Sequence, residues 1–336
     1  MDNPTARVEQ AAALPNLKIS GFAGNRSAFA TAALKTALME PVTLILAGHI
    51  NYGPLCLLLK LIKPQIKFGI FIYGCEVWDK VPSIKRRALR KADFIISISE
   101  YTKVRAVEAN GLDAERISVL PNAIEWEANP STSIADAYPP SRGLELLSVG
   151  RLDGSERQKG FDDVIRALPL IRSRVPSVRY KIVGTGTDLM RHKELAVSLG
   201  MSDRVEFLGE LPTQSLHKCY EACDVFVMPS AQEGFGFVYL EAMQYRKPIV
   251  AARSGGAPEV VEDGVSGWLV EYGDTKQLAE IITELGCDPD MRFKMGRAGH
   301  QRLQEKFTFA RFQESFREIL SRRRPNGNMA PWLGTK

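Results

Sequence analysis

From about residue 42 onward the chain alternates short β-branched or apolar runs with longer amphipathic stretches, and that alternation confines it to the α/β class. Strands are predicted at 42–48, 66–73, 93–99 and 117–120, with helices near 54–62, 82–91 and 101–110 between them. The runs are apolar almost throughout, which marks parallel strands covered on both faces. The scheme recurs with strands at 144–149, 178–184, 204–209, 224–229 and 248–252 and helices near 161–174, 187–199, 213–222 and 235–246. Two doubly wound parallel sheets are therefore expected, and 336 residues suffice for two such domains. The segment 125–142 is rich in Pro, Ser and Ala without apolar periodicity and reads as a linker between residues 1–124 and 143–306. Helices near 289–305 and 308–322 close the fold. The stretch 307–323 is expected to pack back toward the first domain, and 324–336 to be a tail.

Composition excludes several classes. Hydrophobic residues at 45% and charged residues at 25% are an ordinary globular balance. The longest apolar stretch, Leu55 to Ile62, is interrupted by Lys60 and falls far short of the roughly 20 residues of a membrane-spanning helix. The opening MDNPTARVEQ lacks the basic start and apolar core of a secretory signal, so a cytoplasmic location is expected. Five cysteines without a framework spacing fit reduced thiols. A net charge of +5 does not imply nucleic acid, and the basic residues carry no interleaved aromatics and no nucleic-acid-binding motif. The charge is uneven, however. Residues 50–105 hold eleven Lys and Arg against four acids. The stretch 80–91, with Lys85, Arg86, Arg87, Arg90 and Lys91 beside Val81, Ile84 and Leu89, fits a helix lying on anionic lipid as well as it fits a solvated face.

Ligands of open α/β sheets bind outside the carboxyl ends of the strands. After strand 144–149 come Gly150 and Arg151, with Lys159 and Gly160 just before a helix; after strand 178–184 comes the turn Gly184-Thr185-Gly186. Glycine lets backbone amides approach an anion, a helix start offers unpaired N–H groups, and Arg and Lys add charge, so a diphosphate is the natural guest. Taken singly, each piece is more often a tight turn or a solvated surface charge than part of a site. More specific is Pro229 to Phe237, in which Glu233 precedes Gly234, Phe235 and Gly236 and runs into a helix carrying Glu241. Glu233 can accept sugar hydroxyls and Glu241 a ribose diol. His217, Cys219 and Cys223 read as helix residues with core thiols at i, i+4 spacing, and no metal site is expected.

Together GRLDGSERQKGF, VGTG, FLG, PSAQEGFGFVYLEAM, KPIVA and GGAPEVVEDGVSGWLV resemble the nucleotide-binding domain of retaining glycosyltransferases of family four, the glycosyl transferases group one. The similarity is dense from Gly150 to about Val270. It continues more loosely through GHINYGPL, YGCEVW, ADFIISISEYT and VLPNAI. The resemblance implies the GT-B fold, two Rossmann-like domains facing across a cleft. It implies a metal-independent, retaining transfer from a nucleotide-diphosphate sugar, a co-substrate with no further cofactor, to a glycan or lipid-linked acceptor in cell-surface or exopolysaccharide synthesis. By the same resemblance Arg151 and Lys159 hold the diphosphate, Glu241 the ribose, Glu233 with the Gly234 to Gly236 amides the sugar, and residues around Leu208 to Leu211 the base. The chain departs from the family pattern at two places. No strand and glycine-rich loop open the amino-terminal domain, which is expected to be shortened, and Tyr73-Gly74 stands where members place His-Gly. His49 and Tyr73 are the acceptor-side candidates. The alternative reading is a catalytically impaired, nucleotide-sugar-binding remnant.

Overall fold

The computed structural model describes residues 17–125 and 143–322. The sequence-predicted linker, but for residue 125, and the tail lie outside them. The chain divides into two compact units, one made of Met1–Leu120 with Glu314–Lys336 and the other of Pro121–Gln313.

The first unit holds a parallel sheet of β1 (Leu44–Ala47), β2 (Lys67–Ile72), β3 (Phe94–Ser97) and β4 (Ile117–Val119), ordered as they occur in the chain. Phe68, Ile70, Ile72 and Ile95 are buried to within 2%, each side chain contributing roughly 1.5–3 kcal/mol on burial. Helix Gly53–Ile62 packs so closely that a Cβ on Gly53 would lie 2.9 Å from that of Ala88 in helix Ser83–Lys91. Helix Glu100–Asn110 starts on Ser99, whose hydroxyl accepts the N–H of Thr102 at 3.2 Å. The last helix, Phe309–Arg322, places Phe316 against Phe71 with ring centroids 6.1 Å apart.

Sequence pattern leaves Arg26–Met39 unassigned, yet it forms a helix capped by the Asn25 side chain. The physical reason is propensity rather than periodicity. Its alanines, leucines, lysine and methionine favour helix and outweigh Ser27, Phe29, Thr31 and Thr36, without marking one apolar face.

The second unit holds six parallel strands in the order β10-β9-β8-β5-β6-β7: β5 (Glu145–Val149), β6 (Arg179–Val183), β7 (Val205–Gly209), β8 (Val225–Met228), β9 (Ile249–Ala252) and β10 (Gly267–Val270). This is the doubly wound order, with its reversal between β5 and β8. The sixth strand and the helix Thr275–Cys287 go beyond the sequence reading. Four residues opening on glycine give β10 too short a signature, whereas Leu278, Ile282 and Leu285, buried on one face of a helix capped by Asp274, were legible.

Candidate active site

Where strand order reverses, the loops after β5 and β8 meet outside the carboxyl ends of the sheet. They are fastened to each other through the backbone. Ala231 N–H donates to the Gln158 carbonyl at 2.8 Å, and Gly256 N–H, from the loop after β9, donates to the Glu233 carbonyl at 2.7 Å. The Ser254 hydroxyl donates to the Ala231 carbonyl at 2.6 Å. Three loops thus form one rigid cradle.

In the first of them the short 3-10 helix Gly154–Lys159 folds the chain back. The Lys159 ammonium returns to 3.4 Å from where a Cβ on Gly150 would stand. The separation of eight positions from Arg151 to Lys159 is thereby closed in space. Both cations meet on one carboxylate, which the sequence reading did not single out. Glu156 accepts from the Arg151 guanidinium with Oε1 and lies 3.0 Å from the Lys159 ammonium with Oε2. Arg151 remains 73% exposed, so this pairing leaves it reachable.

The clamp loop is held from below by the turn after β6. Arg157 donates to both carboxylate oxygens of Asp188 at 2.7 and 3.0 Å, Gly154 N–H donates to the Thr187 hydroxyl at 3.0 Å, and Asp188 N–H to the Leu152 carbonyl at 2.8 Å. Hydrogen bonds from Arg157 and Arg191 hold the Asp188 carboxyl well below the usual range. Neighbouring Asp162 is brought down to about 2, burial's upward push being outweighed by His192 and Arg191. This anchoring explains the Gly184-Thr185-Gly186 turn. A Cβ on Gly184, whose φ is +137°, would strike the Gly150 carbonyl oxygen at 1.9 Å, and one on Gly186 that of Leu152 at 2.2 Å. The Gly184 amide is already committed to the Gly209 carbonyl at 2.8 Å. In this structure Gly184 shapes the neighbouring loop, with its N–H turned to β7.

In the second loop Glu233 is partly buried. Burial pushes its carboxyl above the usual range; the Lys159 ammonium and the N–H groups of Phe235 and Gly234 pull it down, and Glu156 pushes it up. Glu233 and the cationic clamp therefore share one electrostatic environment. Gly236, at φ +101°, caps the helix Phe237–Gln244, and a Cβ there would lie 2.2 Å from the Tyr239 ring. Phe235 is buried, its ring 5.7 Å from that of Phe307.

Glu241 lies on that helix and takes its place from a residue the sequence did not reveal. The Tyr220 hydroxyl donates to Oε2 of Glu241 at 2.6 Å, and the Tyr220 ring stacks on Tyr245 at 5.7 Å. Burial raises the Glu241 carboxyl, opposed by the Tyr220 hydrogen bond and the nearby His217. Nothing in the sequence spacing ties Tyr220 to Glu241 across 21 positions. Glu156 was more accessible to reading, as an acid three residues before Lys159 and beside Arg157 in the clamp loop. Cys223 is buried, with its thiol donating to the Tyr220 carbonyl at 3.4 Å.

In the first unit His49 caps the 3-10 turn Ile50–Tyr52, its Nδ1 accepting the Asn51 N–H at 3.1 Å. Its ring stacks on Tyr73 at 6.4 Å, and Tyr73 on Phe71 at 6.3 Å. Tyr73 N–H donates to Glu76 at 2.6 Å, and burial together with Glu76 raises the phenol. Of the basic stretch, helix Ser83–Lys91 turns Arg90 onto the Asn110 carbonyl at 2.9 and 3.2 Å, where it caps helix Glu100–Asn110. Arg86, Arg87 and Lys91 form no ion pair among the described residues.

Residues 134–302 match the family model described as glycosyl transferases group 1. A GDP-mannose-dependent alpha-(1-6)-phosphatidylinositol monomannoside mannosyltransferase of Mycolicibacterium smegmatis is 35% identical over 266 residues, 75% of this chain and 69% of the relative. Its namesake in Mycobacterium tuberculosis is 33% identical over 68% of this chain, which spans only 63% of that protein's length. Among solved structures, Anabaena HepE in complex with UDP superposes with a TM-score of 0.74 at 23% identity, covering 88% of this chain and 82% of that one. A glycosyltransferase from Rickettsia africae does so at 0.75 and 17% identity, covering 92% and 85%. The doubly wound order, the motif-bearing loops at its reversal and these likenesses agree: the chain belongs to the glycosyl transferases group 1 and has their GT-B fold of two parallel-sheet α/β domains.

Proposed function

We propose that the protein is a retaining, metal-independent glycosyltransferase that moves a hexose from a nucleoside-diphosphate sugar to a lipid-linked acceptor for a cell-surface glycan. The observation that supports this reading is the convergence of Arg151, Lys159, Glu233 and the Gly236-capped helix start on one backbone-fastened cradle. As the bond to the sugar breaks, negative charge grows on the departing diphosphate. Arg151 and Lys159 meet that charge, and preformed cations in a rigid loop do so without reorganising. Glu156 releases them when the phosphates arrive. Glu233 accepts hydroxyls of the sugar and Glu241 those of the ribose. The names of the mannosyltransferase relatives make GDP-mannose the first donor to test. A cytoplasmic protein resting on the membrane through Arg86, Arg87 and Lys91 would meet a lipid-linked acceptor at its own surface.

The test is calorimetric titration of nucleoside diphosphates and nucleotide sugars into the wild type and Arg151→Ala. Loss of a charge-assisted contact worth roughly 1.5–3 kcal/mol should weaken binding about tenfold or more. Unchanged affinity removes Arg151 from the site.

A further inference from the structure

A cavity of about 640 Å³ opens within the first unit, with His49, Asn51, Tyr52, Pro54 and Leu55 of the GHINYGPL segment in its wall. Two cations line it, Arg26 from the start of helix Arg26–Met39 and Lys85 from helix Ser83–Lys91, and no carboxylate is among its lining residues. Neither charge is neutralised by a described partner. Arg26 forms no ion pair with any described residue, and the Lys85 ammonium donates to the neutral Asn51 side chain at 2.6 Å. His49 lines the same space, and because its Nδ1 accepts from Asn51 N–H, a neutral ring carries its proton on Nε2. Two uncompensated cations in a concave, partly apolar site focus positive potential on whatever enters. The ligand must bring negative charge. A guanidinium with an ammonium suits a phosphate, and the volume, well within the roughly 300–1,000 Å³ of small-molecule sites, leaves room for more than a phosphate alone.

The apolar side of the cavity indicates what the phosphate is attached to. Phe29 and Leu55 line it, and the helix that carries Leu55 continues outward with Leu58, Leu61 and Ile62, exposed by 48, 68 and 45%. At spacings of three, four and seven from Pro54 and Leu55 they prolong the same helix face. An unpaired cationic pocket thus opens onto an exposed apolar stripe. That is the complement of an anionic headgroup with acyl chains.

We propose that this cavity binds the phosphate-bearing headgroup of a phospholipid acceptor, its phosphate on Arg26 and Lys85 and its acyl chains lying along Leu58, Leu61 and Ile62. The inference rests on the reading of the chain as a transferase with a lipid-linked acceptor, and it names the class of that acceptor. The full chain is tested against phosphatidylcholine vesicles with and without phosphatidylinositol, and against soluble glycerophosphoinositol and inorganic phosphate. In the R26Q/K85Q variant, affinity for phosphatidylinositol vesicles and for glycerophosphoinositol should fall about tenfold or more. L58S/L61S should weaken vesicle binding while sparing the soluble headgroup. R86Q/R87Q, with the same charge loss on the neighbouring surface, should leave glycerophosphoinositol binding unchanged. The site is overturned if R26Q/K85Q binds the headgroup like wild type, or if R86Q/R87Q loses it equally. The lipid assignment is overturned if inorganic phosphate binds as tightly as glycerophosphoinositol, or if L58S/L61S binds vesicles like wild type. Nucleoside diphosphate affinity, measured on the same samples, should stay constant in all three variants; its absence in the wild type would instead count against the donor reading.

Discussion

The two parallel sheets carry their candidate sites in different ways. In the second unit the strand order reverses between β5 and β8, and the site is made of loops whose backbones interlock at that reversal. In the first unit the order β1-β2-β3-β4 runs one way, and its cavity is walled by side chains from three helices and a turn. A site fastened through backbone demands glycine wherever chains touch and leaves a motif. A site walled by side chains sets no such demand. The comparison predicts that substitutions in the two units should fail differently, the first kind through folding and the second through binding alone.

The largest expected effect is at Gly184. Alanine there meets both an unfavourable φ and the Gly150 carbonyl, which together cost about 3 kcal/mol. The second unit should melt roughly 6 to 12 °C lower, whereas R26Q/K85Q in the first unit should melt as wild type does. Equal melting of Gly184→Ala and wild type, read by calorimetry, would break the contrast.

Next come the two glutamates. Glu241→Gln should weaken nucleoside diphosphate and nucleotide sugar alike by about tenfold, while Glu233→Gln should spare the bare diphosphate and weaken only the sugar nucleotide. The opposite pattern would reverse their roles.

Glu156→Gln removes the carboxylate that pairs with Arg151 and Lys159. Because Arg151 is largely exposed, the pair is worth only about 1 kcal/mol, so diphosphate should bind up to about fivefold more tightly. Weaker binding would show that Glu156 orders the clamp rather than competing with the ligand.

The smallest effect is a pH dependence at Tyr220. Burial raises the Glu241 carboxyl and the Tyr220 hydroxyl, by donating to the ionised form, holds it down. If the ribose diol needs the carboxylate, binding is lost as pH falls through that raised value. Tyr220→Phe removes the donor, so the loss should begin at higher pH, with affinity at neutral pH little changed. An acid limb that stays in place or moves down would detach Tyr220 from Glu241's function.

How much was legible follows from the same contrast. Strands β1 to β9 could be placed because their buried residues are mostly β-branched, aliphatic or aromatic in short runs, as in Phe68 to Ile72 and Val225 to Met228. Arg151, Lys159 and Glu233 could be singled out because each lies beside glycine in a loop between a strand and a helix, and Glu241 because it lies about one turn into the helix that Gly236 caps. Arg26 could not. It lies in a helix without a marked apolar face, and its relevance comes only from Lys85, 59 positions away in the sequence, lining the same cavity.

By itself the sequence determined the α/β class, the parallel strands and the glycine-bearing loops, because hydrophobic period and backbone conformation are properties of neighbouring residues. Only the tertiary structure decided that Glu156 stands between the two cations, that Tyr220 orients Glu241, that Gly184 serves the loop beside it, and that Arg26 and Lys85 share a cavity. Each of these is a meeting of side chains or backbones between segments that the intervening chain folds back together. Such meetings depend on where whole elements come to rest, and local pattern carries no record of that.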